Sequence, residues 1–173
     1  KLYLKGAERQ YMERTLEVLE QVGCGLRCEE EAVYLQAPTR LLSDFSLETG
    51  PYPAFPTDMQ PLMMSLLTLA KGTCMMSETV FENRFHHAAQ LCHMGANIQI
   101  HGRSAAVFGV ERLHGAVVHA TDLRAGAALL LAAIAAEGES RIYGSQYIAR
   151  GYEKIEDALT FLGGHVRLIE QKE

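Results

Sequence analysis

Apolar and polar positions repeat in two long blocks, each opened by an aspartate and closed by a glycine. Pro56-Thr57-Asp58-Met59 leads into a mostly apolar run ending at Lys71-Gly72-Thr73, and Ala120-Thr121-Asp122-Leu123 leads into another ending at Glu137-Gly138-Glu139. After each glycine the pattern reads as a strand, then as a helix that closes on Gly95 or Gly163, and an earlier helix closes the same way on Gly23. The closing glycines recur about every 70 residues, too long for a solenoid repeat and suited to a small βα unit.

The pattern predicts a strand over Leu2–Leu4 and an amphipathic helix over Glu8–Val22, with Tyr11, Met12, Thr15, Leu16, Val18 and Leu19 on its inner side. Strands follow over Gly25–Gln36 and Ser43–Glu48, and prolines at 51, 53, 56 and 61 hold the approach to a helix over Met59–Ala70. Next come strand Cys74–Val80, helix Phe85–Met94, and strands Asn97–His101, Ala105–Val110 and Leu113–Ala120. Helix Arg124–Glu137, strand Ser140–Tyr143, helix Glu153–Leu162 and strand His165–Ile169 complete the chain. The expected architecture is α/β (α+β), one domain over 1–173 made of repeat remnants 1–50, 51–110 and 111–173. Leu2–Leu4 stands where Cys74–Ser77 and Ser140–Tyr143 stand in the later units, so the first unit lacks its Asp-led helix. The chain is therefore expected to be a piece of a longer protein, with a genuine two-and-a-half-unit domain as the alternative.

Composition narrows the class without naming a chemistry. The 173 residues, 48% hydrophobic and 21% charged, suffice for one well-buried core. A formal net charge of −5 gives no reason to expect a nucleic-acid partner. No apolar run reaches the roughly 18 residues that span a bilayer, and the N-terminus lacks a signal-peptide pattern, so a cytoplasmic address is the expectation. Cys24 and Cys28, read as one strand, would lie about 13 Å apart, too far to share a metal ion. No metal-ligand spacing and no Gly-rich phosphate loop is present, so neither metal, ATP nor NAD is signalled.

The candidate site residues lie at corresponding strand–helix corners. Asp58 and Asp122 precede helices, where a carboxylate caps backbone N–H groups. Arg124 falls in a first helical turn, where a cation is unfavourable unless an anion (Asp122 or a ligand phosphate) sits beside it. Arg84 and Arg150 stand in loops between a strand and a helix, so these charges could gather at one edge of the fold.

The strings Phe-Pro-Thr-Asp-Met-Gln (55–60), Ser-Glu-Thr-Val-Phe-Glu-Asn-Arg-Phe (77–85), Ala-Thr-Asp-Leu-Arg-Ala (120–125) and Arg-Gly-Tyr-Glu-Lys-Ile-Glu-Asp (150–157) carry a resemblance. Together they resemble the C-terminal part of the UDP-N-acetylglucosamine 1-carboxyvinyltransferases (enolpyruvyl transferases), over essentially the whole chain and most weakly over 1–40. The sister enolpyruvylshikimate phosphate synthases share the fold, but their motifs fit these strings poorly. The resemblance implies an inside-out α/β barrel of βαβαββ units, with the first unit truncated. It implies transfer of the enolpyruvyl group of phosphoenolpyruvate to the 3-hydroxyl of UDP-N-acetylglucosamine, which commits the sugar nucleotide to bacterial peptidoglycan. Asp58 then matches the residue that binds the sugar hydroxyl and takes its proton, and Asp122 an aspartate beside the reacting centre. Val80 matches a backbone contact to the sugar nucleotide, Arg84 an arginine at the site edge, and Arg124 and Arg150 the clamp on phosphoenolpyruvate.

The family's general-acid loop and its phosphoenolpyruvate lysine match nothing here, so this chain is expected to form one wall of a cleft and to be inactive alone. A non-catalytic sugar-nucleotide-binding module is the alternative. If Arg124 and Arg150 serve a ligand, they should converge on one open cleft, neither of them closed onto a bidentate carboxylate.

Overall fold

Three structural units follow one another in the computed structural model, which describes residues 1–169. The first comprises β1 (Leu2–Lys5), α1 (Arg9–Gln21), β2 (Gly25–Glu29) and β3 (Ala32–Gln36), with the strands in antiparallel order β1-β3-β2. The second comprises β4 (Phe45–Glu48), a 3-10 turn (Thr57–Met59), α2 (Gln60–Leu67), β5 (Thr73–Ser77), α3 (His86–His93), β6 (Asn97–His101) and β7 (Ser104–Phe108). Its sheet runs β4-β5-β7-β6, with β4 parallel to β5 and the other pairs antiparallel. The third comprises β8 (Val117–His119), α4 (Leu123–Ala135), β9 (Arg141–Tyr143), α5 (Ser145–Ile148) and α6 (Ile155–Phe161), with β8 parallel to β9.

The second unit is thus βαβαββ, and β1-β3-β2 repeats the order of its last three strands, β5-β7-β6. Among the described residues the first unit has no counterpart of β4 and α2, as the sequence repeat implies.

Helices occupy the inside and sheets the outside, because α2 and α4 are apolar nearly all round. Along α2, Gln60, Pro61, Met63, Met64, Ser65 and Leu67 are buried; along α4, burial is continuous from Ala125 to Leu130. Small side chains let the two helices approach, and the Ser65 hydroxyl donates to the Ala128 carbonyl at 2.8 Å. Leu47, Cys74, Met76 and Val107 bring the sheet's inner face onto this pair, while alternate positions such as Met75 face outward.

Several boundaries differ from the sequence expectation, each for a local reason. Gly25–Gln36 is a hairpin, because the chain reverses at Glu30-Glu31, a turn without the usual Gly, Asn or Pro. Helix α1 has a non-helical residue, Met12 (φ −135°, ψ 19°), and the expected inner residue Tyr11 is instead 79% exposed. Strand β5 stops at Ser77 because, one residue on, the backbone amides from Thr79 to Phe81 turn to side chains of Thr49 and Glu78. Within Leu113–Ala120 the continuous ladder is confined to 117–119, with an isolated bridge between His114 and Glu137, and between them the Gly115 backbone packs against the Glu139 carbonyl with no room for a Cβ. Residues 165–169 form no strand; an alternating stretch needs a ladder partner, and none lies beside it among the described residues. The cysteines are free, Cys24 and Cys74 buried and Cys92 exposed. Among the described residues no helix is long and apolar enough to cross a membrane.

Candidate active site

Asp58 is the hub of the charged corner. It lies in the 3-10 turn before α2, with Pro56 extended (φ −69°, ψ 131°) and the Met59 N–H closing the turn on the Pro56 carbonyl. It caps no backbone amide, contrary to the expectation from its position before a helix. Its carboxylate instead accepts from Arg124 in a fork, Nε to Oδ1 and Nη2 to Oδ2, both at 2.8 Å. Arg84 Nη2 adds a third bond to Oδ1 at 2.7 Å, with its guanidinium also over the Phe81 ring. The hydrogen bonds from Arg124, with the charges of both arginines, hold the Asp58 carboxyl below its ordinary range against a smaller opposing effect of burial. The Asp58 side chain remains 56% exposed, so this cluster is wet.

The anion that compensates Arg124 is therefore Asp58, 66 residues away, and the expectation of an arginine free of any bidentate carboxylate is corrected. Asp122 has the capping role: Oδ1 accepts the Arg124 and Ala125 amides, each at 2.9 Å. That cap fixes the start of α4 and aims the Arg124 side chain across to the α2 corner.

Arg124 and Arg150 do line one cavity of about 260 Å³, with Thr121, Asp122, Leu123 and Tyr147. Among the described residues Arg150 holds no ion pair, so this wall is the more cationic one. Arg150 follows α5, a helix the sequence pattern reads as a loop. Helix α5 seats tightly on α4 because residue 126 is glycine: a Cβ there would lie 2.4 Å from Ile148 Cγ1. Gly126 thus sets the position of the segment carrying Arg150. Asp58, Arg84 and Val80 do not line this cavity. The Val80 amide donates to Glu78 at 2.8 Å, which leaves its carbonyl as the backbone group for a ligand.

Sequence reasoning passes over Glu78, His87 and Tyr147. His87, at the start of α3, is 2% exposed, and its Nε2 is buried without a partner. Burial lowers its pKa to about 4, with the Asp122 charge opposing and Arg84 and His86 contributing. The sign of the linkage follows: from an unfolded value near 6.5 down to about 4, the unfolded chain takes up a proton that the folded chain refuses. Stability should fall with pH across that window, by about 1.4 kcal/mol per unit and about 3 kcal/mol in all. Asp58 and Glu78, whose pKa values are depressed, lose their contribution only lower on the scale. Urea midpoints at pH 7, 5.5 and 4.5 should show this loss in the native chain and a flatter dependence in His87→Leu.

A family model described as EPSP synthase (3-phosphoshikimate 1-carboxyvinyltransferase) matches residues 2–159. The chain belongs to the EPSP synthase family. Within that family it is similar to the UDP-N-acetylglucosamine 1-carboxyvinyltransferases, in agreement with the motif resemblance. The enzyme so named from Zymomonas mobilis is 43% identical over 166 residues, which are 96% of this chain and 39% of the relative. That from Dichelobacter nodosus is 48% identical over 162 residues, 94% of this chain and 38% of the relative. Among solved structures, the enolpyruvyl transferase NikO from Streptomyces tendae superposes with a TM-score of 0.87 at 27% identity, covering 96% of this chain and 39% of that one. EPSP synthase from Acinetobacter baumannii, at 19% identity and a TM-score of 0.60, shares the fold. The chain spans about two fifths of the length of these relatives. The enolpyruvyl transferase fold that the motif resemblance implies is the one observed.

Proposed function

We propose that this chain is one wall of the active site of a UDP-N-acetylglucosamine 1-carboxyvinyltransferase. The supporting observation is the meeting of Asp58 with Arg124 and Arg84 at the edge of a cavity that Arg124 shares with Arg150. A carboxylate beside two fork-shaped cations and an open anion site suits a reaction that removes a hydroxyl proton next to a phosphate-bearing carboxylate.

In this reading Asp58 takes the proton of the sugar 3-hydroxyl, whose oxygen then bonds to the substituted carbon of phosphoenolpyruvate. Arg124 and Arg150 hold the anionic groups of that molecule and of the tetrahedral intermediate. A carboxylate held by Arg124 and Arg84 is a weak base, so the incoming phosphoenolpyruvate has a second task. Its oxygens compete for the Arg124 fork, and release of that fork restores basicity to Asp58 when the substrate is in place. The Arg124 side chain is 37% exposed, which leaves room for this exchange.

The family's acid that protonates the methylene carbon, and its lysine for phosphoenolpyruvate, match no residue of this chain. The 173-residue chain should therefore release no phosphate from the two substrates. Joined to the segment of the Dichelobacter nodosus relative that it does not cover, it should form a transferring enzyme, called the reconstituted enzyme below. A phosphate-release assay of both samples checks this. Turnover by the chain alone would refute the missing-wall reading, and an inert but folded joined protein would favour a binding module over an enzyme.

A further inference from the structure

Glu78 is 1% exposed, yet its carboxylate has two separate sets of partners. Oε2 accepts the Thr57 hydroxyl at 2.9 Å, and Oε1 accepts the backbone amides of Val80 at 2.8 Å and Phe81 at 3.1 Å. One set belongs to the turn that carries Asp58, the other to the loop that carries Val80. The loop is braced again from the opposite side, where Arg103 donates through Nε to the Glu78 carbonyl at 2.9 Å and through Nη2 to the Thr79 carbonyl at 2.6 Å. Burial alone would raise the Glu78 pKa, but the bonds from Phe81, Thr57 and Val80, with the nearby Thr49 hydroxyl, outweigh it and keep the group ionised. A buried carboxylate is retained at a cost that only such donors offset.

We propose that Glu78 is a positioning residue that locks the Asp58 turn and the Val80 loop together, so that both meet the sugar nucleotide as one rigid edge. The inference rests on the carboxyvinyl-transfer reading above and adds to it a determinant of sugar-nucleotide binding that touches no substrate. The consequence is selective. Loosening the lock should weaken the contacts made by Asp58 and Val80 without weakening phosphoenolpyruvate binding at Arg124 and Arg150, because a looser Asp58 restrains the Arg124 fork less.

Replacing Glu78 would leave two amides unpaired and could unfold the corner, so the test uses Thr57. Thr57→Val removes the hydroxyl at nearly constant shape, and Thr57→Ser keeps it. In the 173-residue chain, Thr57→Val should leave the melting temperature within a few degrees and speed amide exchange at Val80 and Phe81 about tenfold, the scale of one charge-assisted bond. In the reconstituted enzyme it should raise KM for UDP-N-acetylglucosamine about tenfold and KM for phosphoenolpyruvate hardly at all, with Thr57→Ser close to the unsubstituted enzyme. Unchanged exchange at Val80 and Phe81 would overturn the lock itself. Equal rises in both KM values would overturn its role in sugar-nucleotide binding. Coupled exchange in the chain, together with an unsubstituted reconstituted enzyme that transfers nothing, would support the lock and refute the enzymatic reading on which its purpose rests.

Discussion

Asp58→Asn should lower turnover of the reconstituted enzyme by roughly 10²–10⁴, the usual worth of a positioned general base. Asparagine keeps the size of the side chain and one oxygen for the arginines, and it removes the basic group. The fold should not suffer. Asp58 caps no helix, and its carboxylate is 56% exposed, so solvent screens its pairs toward the kind worth about 0–1 kcal/mol even though Arg84 is mostly buried. Because the substitution also frees Arg124, KM for phosphoenolpyruvate should stay level or fall while kcat collapses. That split separates loss of a base from loss of a binding group. Near-normal turnover would reduce Asp58 to an ion-pair partner.

Arg124→Lys should weaken phosphoenolpyruvate binding by roughly 10- to 100-fold, since a point charge cannot reproduce two parallel bonds each worth about 1.5–3 kcal/mol. Lysine keeps the charge, and the Asp122 cap uses the backbone amide of residue 124, which any side chain preserves. Melting temperature should therefore barely move. A variant that binds phosphoenolpyruvate normally, or one that loses binding only because it unfolds, would assign Arg124 to structure.

The elements most legible in the sequence were those with the longest apolar runs. Helices α2 and α4 are apolar nearly all round, mostly buried though Leu131 and Ile134 of α4 are exposed, and their Asp-led starts and Gly-closed ends marked the repeat. Strands β6 and β7 were equally plain. What was obscured depends on contacts from distant parts of the chain. The β2–β3 turn is made of glutamates, with no local turn chemistry to betray it. Helix α5 has only four residues and owes its place to the absence of a Cβ at Gly126, a constraint that only the folded chain reveals.

The charged corner was legible in its membership and not in its pairing. Asp58, Arg84, Arg124, Asp122 and Arg150 were all singled out, and the structure does bring them to one edge. Local reasoning gave both aspartates the role of helix cap and offered Arg124 either the neighbouring Asp122 or a ligand phosphate as counter-ion. The 3-10 turn lifts Asp58 off the α2 amides and leaves its carboxylate to the arginines of two other segments. Glu78 escaped notice because it falls inside the strand expected over Cys74–Val80, where no ligand or cap role suggests itself; its burial becomes evident only when Thr57 and the amides of Val80 and Phe81 converge on it.

The central claim is that Asp58 is an ion-paired carboxylate until substrate takes Arg124, and a base thereafter. The pH dependence of the reconstituted enzyme tests it most directly, because kcat/KM reports groups of the free enzyme and kcat those of the substrate complex. In the free enzyme the bonds from Arg124 hold the Asp58 carboxyl below its ordinary range, so activity in kcat/KM should persist to low pH. With Arg124 drawn to phosphoenolpyruvate, the acid limb of kcat should stand at a distinctly higher pH, and Asp58→Asn should abolish that limb. Coincident acid limbs in both profiles that survive in Asp58→Asn would contradict the account.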